Sequence, residues 1–258
     1  MKNCLITGGA VRIGKGIALA LAKNGYTVTY TYNHSKAEAE RTLHELKTYN
    51  STAAMEKAEL TNLPKMYKII DALFEKYSRL DLLILNASAF FCTPILNTHE
   101  KDWNYILDVN LKSTFFIMQH TAKKMISSGK TSRIIVLTDI ATELIWSKFT
   151  PYVISKIGAE YLVKSFAKEF APNILVNAIA PGAILPSTID DKTAEQIHKI
   201  PLRRMGNVED IANAVLFLAR ADYITGTTIK QMLKSFQQML KSFRQLANSF
   251  RQLALLLC

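Results

Sequence analysis

Residues 3–16 read Asn-Cys-Leu-Ile-Thr-Gly-Gly-Ala-Val-Arg-Ile-Gly-Lys-Gly, and this stretch decides the fold. The apolar segment from Asn3 to Thr7 predicts a strand, and the glycine-rich loop after it opens a helix. Glycines let the backbone approach a pyrophosphate closely, and the helix N-terminus offers N–H donors and positive potential. The spacing is not the plain Gly-x-Gly-x-x-Gly pattern, so a strand-to-helix turn without a ligand is the alternative.

The rest of the chain alternates strands and helices. Apolar and β-branched runs predict strands at 27–32, within 52–60, and at 80–85, 133–138 and 174–180. Helical periodicity predicts helices at 14–23, 35–49, 63–77, 103–127, 152–170 and 208–220. This alternation predicts an α/β fold, a single Rossmann-type doubly wound parallel sheet with helices on both faces. Ligands of such sheets bind at the carboxyl ends of the strands.

Residues 231–258 differ from the rest of the chain. They repeat every seven residues, with Gln at 231, 238, 245 and 252 and with Phe236, Phe243 and Phe250 on one helical face. A heptad repeat can form a coiled-coil seam, but few heptads are present and no acids balance the cations. We therefore expect residues 1–230 to form the Rossmann domain and 231–258 to be an amphipathic, low-complexity helical tail without a role.

The bulk properties exclude several classes of protein. The net charge of +11 includes five cations from Lys230 onward without an acid, and the modest remainder suits a phosphate-bearing cofactor. No basic stripe with interleaved aromatic residues appears, so we expect no nucleic-acid partner. No apolar run is long enough to span a membrane. Cys4, Cys92 and Cys258 are too scattered for a disulfide framework or a metal site, which suggests the cytoplasm.

Three residues in the second half of the chain can carry proton chemistry. Tyr152 and Lys156 stand four apart on a predicted helix and share one face. An ammonium close to a phenol favours the phenolate, so we expect Lys156 to lower the pKa of Tyr152 and prepare it to pass a proton to a substrate. Asp139 stands thirteen positions earlier, directly after a strand. Its carboxyl is either a second proton donor or the cap of a turn.

The sequence after the second strand bears on the choice of cofactor. Enzymes that use NAD place an acid near the end of that strand to hold the ribose hydroxyls, and residues 31–35 contain none. Arg12, His34 and Ser35 can instead surround a 2′-phosphate, which predicts NADPH. The alternatives are a solvated surface cation for Arg12, and helix N-capping for His34 and Ser35, where Ser35 with Glu38 would form a capping box.

Together these residues resemble the classical short-chain dehydrogenase/reductase family, over a match from about Asn3 to Lys230. The motifs that carry the resemblance are the glycine-rich loop, Asn86-Ala87, Asn110, Tyr152 with Lys156, and Pro181-Gly182. Most members carry glycine where this chain has Arg12, and a catalytic serine where it has Asp139. Together with Asn86-Ala87-Ser88 and Phe90, these two differences make the chain resemble pteridine reductases and bacterial dihydromonapterin and dihydrofolate reductases.

The resemblance implies NADPH-dependent reduction of a pterin of the dihydropterin, dihydrobiopterin or dihydrofolate type, by a cytoplasmic homotetramer. It implies that the catalytic residues are Asn110, Asp139, Tyr152 and Lys156. The substrate would contact Ser88, Phe90, Asp139 and Tyr152. The cofactor would contact Gly8, Arg12, Ile13, Gly14, Tyr32, Asn33, His34, Ser35, Glu59, Leu60, Asn86, Ala87, Ser88, Tyr152, Lys156, Pro181 and Gly182.

The chain also departs from the family pattern. Leu85 replaces an asparagine, Glu59 replaces the aspartate that meets the adenine, and the heptad tail replaces the closing strand and Asp-Gly-Gly-type terminus. Two other functions therefore stay open. One is an NADPH-dependent carbonyl or 3-oxoacyl reductase of the same family, and the other is a non-catalytic binding or scaffold protein with a lost active site.

Overall fold

Seven parallel strands form the sheet in the computed structural model, which describes residues 2–184, 197 and 200–231. The strands are β1 (Lys2–Thr7), β2 (Tyr26–Tyr32), β3 (Ala54–Lys57), β4 (Leu82–Leu85), β5 (Ser132–Leu137), β6 (Ile174–Ala180) and β7 (Thr228–Lys230). Their order across the sheet is β3-β2-β1-β4-β5-β6-β7. The order reverses between β1 and β4, so the crevice that such sheets use for ligands opens there.

The described helices connect these strands and cover both faces of the sheet. They are α1 (Arg12–Lys23), α2 (Lys36–Lys47), α3 (Leu63–Tyr77), α4 (Glu100–Leu107), α5 (Ser113–Ser127), α6 (Thr150–Phe170) and α7 (Val208–Arg220). Short 3-10 turns lie at Ile95–Asn97 and Ile140–Glu143. None of these helices has the length and the apolarity that crossing a membrane requires.

The core has two halves, one on each face of the sheet. On one face α3, α5 and α6 bury residues such as Ile70, Met118 and Val163. On the other face α1, α2 and α7 bury residues such as Leu21, Leu46 and Val215. Strands β2, β4 and β6 are buried along their whole length, because helices cover both of their faces.

The doubly wound α/β fold predicted from the sequence is confirmed, with two differences of detail. The closing strand that the tail was expected to replace is present, because β7 pairs with β6 from Thr228 to Lys230. The helix predicted at 103–127 starts earlier and contains a π-helical segment, Asp108–Lys112, between α4 and α5. The predicted helical tail lies outside the described residues, apart from Gln231.

One glycine sets how closely α1 approaches α7. A Cβ atom added to Gly16 would lie 1.9 Å from Cγ1 of Val208, the first residue of α7. Because valine is branched at Cβ, its methyl group cannot simply swing away. The absence of a side chain at position 16 therefore places α7 against the helix that follows the glycine-rich loop.

We predict that Gly16→Ala destabilises the protein by about 1–3 kcal/mol, the usual cost of overpacking, although alanine is the better helix former. Val208→Ala should recover part of that loss in the double variant. Urea unfolding of both single variants and the double variant measures the coupling. Losses that simply add would show that the contact between Gly16 and Val208 does not limit the packing.

Candidate active site

The glycine-rich loop is fixed to the end of β4 by a small hydrogen-bond network. The Thr7 hydroxyl oxygen accepts hydrogen bonds from the backbone N–H groups of Asn86 and Ala87, at 3.0 and 3.2 Å. The Asn86 side-chain amide donates to the carbonyl oxygens of Thr7 and Gly8, at 3.0 and 2.9 Å. A Cβ atom on Gly14 would lie 2.0 Å from the Gly8 oxygen, so only glycine allows this tight loop.

Arg12 adopts an unusual backbone conformation. It is the first residue of α1, and its φ of +48° lies in the left-handed region. That region costs a residue with a side chain about 1–2 kcal/mol and costs glycine little. This cost explains why most members of the family that the chain resembles carry glycine at this position. This chain has an exposed arginine there instead.

Two adjoining clefts follow the carboxyl ends of the strands and share Gly8, Ala87 and Ser88. The larger cleft, about 390 Å³, is lined by residues of the loop, β4, β5, α6 and the end of β6: Arg12, Ile13, Gly14, Asn86, Phe90, Asp139, Tyr152, Lys156, Pro181 and Gly182 among them. The smaller cleft, about 240 Å³, is lined by Tyr32, Asn33, His34, Glu59 and Leu60 among others. Together they suit a dinucleotide whose pyrophosphate lies over the glycine-rich loop.

The clefts contain every residue that the sequence assigned to the cofactor except Ser35. Ser35 stands at the N-cap position of α2, outside the residues that line either cleft. The capping box that we considered for Ser35 and Glu38 is also absent, because the Ser35 side chain makes no capping hydrogen bond. Tyr105 of α4, which the sequence did not single out, lines the smaller cleft.

Asp139 and Tyr152 form a hydrogen-bonded pair in the larger cleft. The Tyr152 hydroxyl donates to Asp139 Oδ2 at 2.6 Å, while the backbone N–H of Ala141 donates to Asp139 Oδ1 at 2.7 Å. Asp139 thus caps the 3-10 turn at Ile140–Glu143 with one oxygen and meets the phenol with the other. The turn-capping role that the sequence offered for Asp139 is therefore present, and its role as a second proton donor stays a prediction.

The expected effect of Lys156 on Tyr152 is wrong in this structure. Burial, and after it the charge and the hydrogen bond of Asp139, raise the pKa of Tyr152 above its ordinary value. The Lys156 ammonium does not reach the phenol oxygen; it donates to the Leu137 carbonyl oxygen at 2.9 Å and lies 5.6 Å from the centroid of the Tyr152 ring. Tyr152 therefore holds its proton at neutral pH, as a proton donor must.

Lys156 is a buried cation whose protonation is poised near neutral pH. Its exposed fraction is 5 %, and burial lowers the pKa of its ammonium from 10.5 to about 8, although the Asp139 carboxylate favours the charged form. A partly desolvated ammonium at the floor of a cleft is ready to bind hydroxyl groups of an incoming ligand.

Asn110 joins the segment after β4 to the helix that carries Tyr152. Its side-chain oxygen accepts from the Ala89 N–H at 2.7 Å and from the Ser88 hydroxyl at 3.1 Å. Its amide donates to the Ala89 carbonyl at 3.0 Å and to the Ser155 hydroxyl at 3.0 Å. Asn110 lies in the π-helical segment and is buried, so its observed contacts position other residues.

An aromatic surface borders the cleft beside Tyr152. The Phe90 ring is 54 % exposed, stacks on Phe149 at 4.8 Å between ring centroids and meets Tyr152 edge-on at 4.7 Å. Phe149 in turn contacts Trp146. The sequence singled out Phe90 but not Trp146 or Phe149, although two aromatic residues between a buried strand and the helix of Tyr152 were a usable signal.

The described residues contain no group of three or more His, Cys, Asp or Glu side chains that could hold a metal ion. Cys4 and Cys92 are free thiols. The larger cleft is lined by a phenol, a carboxyl group and an ammonium, those of Tyr152, Asp139 and Lys156.

The sequence and the structure of this chain are similar to those of known proteins, and the matched region includes the residues of both clefts except Gly8. The family model described as enoyl-(acyl carrier protein) reductase matches residues 9–231. The chain belongs to the short-chain dehydrogenase/reductase family, and at this level it is an oxidoreductase that uses a nicotinamide cofactor.

Two similar proteins indicate which activities occur among relatives of this chain. The chain is 35 % identical over 235 residues to 3-oxoacyl-[acyl-carrier-protein] reductase from Staphylococcus aureus, covering 88 % of this chain and 95 % of the relative. Its structure is similar to that of acetoin dehydrogenase from Enterobacter cloacae, with a TM-score of 0.82 and 31 % identity over 89 % of this chain and 93 % of the other. These relatives support the carbonyl or 3-oxoacyl reductase alternative better than pterin reduction.

The buried ammonium of Lys156 predicts a pH-dependent stability. Its pKa is about 8 in the folded protein, against 10.5 for an exposed lysine, so between these values the unfolded chain binds more protons and stability rises with pH. Below this window Lys156 is charged in the folded protein, and the full cost of burying its ammonium lowers the free energy of unfolding. Lys156→Met removes the penalty, so its stability advantage over the unmutated protein should shrink by about 2 kcal/mol between about pH 7 and pH 9.5.

Urea unfolding at the two pH values, without cofactor, measures this change. Effects of the substitution that do not depend on pH, such as the change in packing, cancel in the comparison, and the change in the hydrogen bond to Leu137 on deprotonation is already part of the lowered pKa. A stability difference that stays constant across the window would show that Lys156 is not held at a lowered pKa.

Proposed function

We propose that this chain is an NADPH-dependent reductase of a pterin-type ring. The observation that carries the proposal is the hydrogen bond between Asp139 Oδ2 and the Tyr152 hydroxyl, 2.6 Å long, on the wall of the larger cleft. A serine hydroxyl in place of Asp139 would suit a carbonyl oxygen. A carboxyl group suits a heterocycle, whose ring nitrogens both donate and accept hydrogen bonds.

The proposed reaction adds a hydride and a proton across a C=N bond. The residues of the two clefts would hold NADPH, which would supply the hydride to the carbon. The Tyr152 hydroxyl gives its proton to the ring nitrogen, and a proton from solvent then returns to the phenolate by way of the Asp139 carboxyl group, whose Oδ2 lies 2.6 Å from the phenol oxygen. Lys156 binds the ribose of the nicotinamide nucleoside through its ammonium group, which lines the larger cleft.

The aromatic surface beside the proton donor supports a flat substrate. Phe90 presents a half-exposed ring next to Tyr152, and Phe149 backs it by stacking. Offset stacking on such a ring stabilises a planar heterocycle and places its edge against the phenol and the carboxyl group. A pterin ring between Phe90 and the nicotinamide would bring its reducible bond to Tyr152.

The second candidate is an NADPH-dependent reductase of carbonyl or 3-oxoacyl substrates. The observation in its favour is the identity of 34–35 % to 3-oxoacyl-[acyl-carrier-protein] reductases over most of both chains. Asp139 in the place of the usual serine argues against it. A non-catalytic scaffold, the third candidate, has to account for a Tyr152, Lys156 and Asp139 that stay together in an open cleft.

NADPH oxidation with three kinds of substrate tests the proposal. The unmutated protein is given dihydrobiopterin, dihydrofolate, and a 3-oxoacyl thioester or simple ketone, and kcat/KM is measured for each. Preference for a pterin supports the proposal, and preference for the thioester or ketone supports the second candidate. The cytoplasmic location, the tetramer and the boundary at residue 230 stay predictions, which fractionation and light scattering on the full chain and on residues 1–230 would test.

Arg12 generates a prediction about the cofactor. Arg12→Gly removes a charged contact to the 2′-phosphate and should raise the Kd for NADPH about 10- to 100-fold, with little change for NADH. It also relieves the left-handed conformation. The cofactor-free protein should gain about 0.5–1 kcal/mol, since the relief of roughly 1–2 kcal/mol exceeds the greater chain entropy of glycine.

Arg203 offers a matched control. It is a second arginine with positive φ, at +53°, and it lines neither cofactor cleft. Arg203→Gly should leave cofactor selectivity unchanged. Equal affinity of the unmutated protein for NADPH and NADH, measured by fluorescence titration, would contradict the assigned cofactor.

Asp139 generates a prediction about the substrate. Asp139→Ser restores the residue that most family members carry, and it removes the carboxyl group that serves the heterocycle. Pterin kcat/KM should fall about 100-fold or more, in the usual range for a lost general acid, while ketone reduction stays level or rises. Steady-state kinetics of both proteins on both substrates decide this. A pterin rate that Asp139→Ser leaves unchanged would count against the role given to the carboxyl group.

A further inference from the structure

Glu160 is an acidic residue of α6 whose partners lie in the active-site turn. It stands one helical turn after Lys156 and is half-buried. Its Oε1 atom lies within hydrogen-bond distance of the hydroxyls of Thr142 and Thr138, at 3.1 and 3.3 Å, and the Thr138 hydroxyl lies equally close to the Ile179 carbonyl oxygen. A helix acid normally faces water or a cation, so a carboxylate that faces two hydroxyl groups calls for an explanation.

The two threonines stand on either side of Asp139. Thr138 precedes it directly, and Thr142 follows it within the 3-10 turn that Asp139 caps. The Thr142 hydroxyl and the Thr142 N–H also lie within hydrogen-bond distance of the Asp139 carbonyl oxygen, at 3.1 and 3.2 Å. One carboxylate oxygen of Glu160 thus joins both ends of this turn to α6.

The other contacts of the turn run toward the sheet. Thr138 N donates to the Ile179 carbonyl at 2.8 Å, and Ile140 N donates to the Pro181 carbonyl at 3.1 Å. These bonds fix the turn relative to β6, whereas Tyr152 belongs to α6. The distance between the Asp139 carboxyl and the Tyr152 phenol therefore depends on how the turn and α6 are held together.

We infer that Glu160 is a positioning residue for the Asp139–Tyr152 pair. The inference rests on the proposed function, in which this pair delivers the proton. Glu160 draws the turn against α6 through Thr138 and Thr142, at a point two turns along the helix from Tyr152. Because a misplacement of about 1 Å can cost about 100-fold in rate, a link of this kind acts on turnover without touching the substrate.

Three variants on α6 test the inference. Glu160→Ala removes the acceptor for both threonines, and kcat should fall about tenfold or more. Glu160→Gln keeps an acceptor oxygen in the same place and should restore most of the activity. Glu169→Ala removes an exposed glutamate from the far end of the same helix and should change nothing. The Kd for NADPH should stay within about twofold throughout, because no partner of Glu160 belongs to the phosphate loop.

A double-mutant cycle separates positioning from general stability. In an Asp139→Ser background the pair is already gone, so Glu160→Ala should lower kcat little further. The same factor of loss in both backgrounds, or a Glu160→Ala enzyme as active as the unmutated one, overturns the inference. If Glu160→Ala does not fold, Thr142→Val removes the hydroxyl partner instead and should give the same cycle.

The outcome of the cycle is distinct from that of the proposed function. An unmutated protein that reduces ketones but no pterin contradicts the proposed function. Glu160→Ala is then measured with the ketone, where Tyr152 is still the proton donor, and a variant as active on the ketone as the unmutated protein overturns the inference.

Discussion

The site depends on the hydroxyl of Thr7, which holds the carboxyl ends of β1 and β4 together by accepting the N–H groups of Asn86 and Ala87. The strand order reverses at this point, so the backbone of two diverging segments would otherwise lose its partners. From there hydrogen bonds run through Asn110 to Ser155 and so to the helix of Tyr152. Cofactor loop and proton donor are thus parts of one network that starts at the switch point.

The electrostatics of the site favour function over stability. Lys156 is a buried ammonium that donates a hydrogen bond to the backbone carbonyl oxygen of Leu137. Burial alone would favour the neutral amine, and the Asp139 carboxylate offsets only part of this. The same carboxylate, together with burial, keeps the proton on Tyr152. One carboxylate therefore favours the protonated form of both the lysine and the phenol, which is an arrangement expected where a proton has to be handed over.

The sequence predicted most of the fold because its strands are continuous apolar runs and its first loop is rich in glycine. From the sequence we also expected Asp139, Tyr152 and the residues of both clefts at the edge of the sheet where they lie. The sequence did not predict the orientation of side chains or the backbone conformation of single residues. Spacing places Lys156 beside Tyr152 along the helix but does not show that the ammonium points to Leu137, and residue type does not reveal the left-handed backbone of Arg12. Phe149, which stacks on Phe90, and Trp146 beside it were missed because they lie in a loop without periodicity.

The π-helical segment at Asp108–Lys112 has a consequence for how this part of the chain can change. A π segment accommodates an extra residue within a helix, and here it lets Asn110 turn its amide toward the loop after β4. Loss of a single residue from the segment would return it to α-helical geometry and rotate all of α5 by about 100°. Ile117, Met118 and Met125 would then leave the core. The core contacts of α5 therefore oppose the loss of a residue from the π-helical segment.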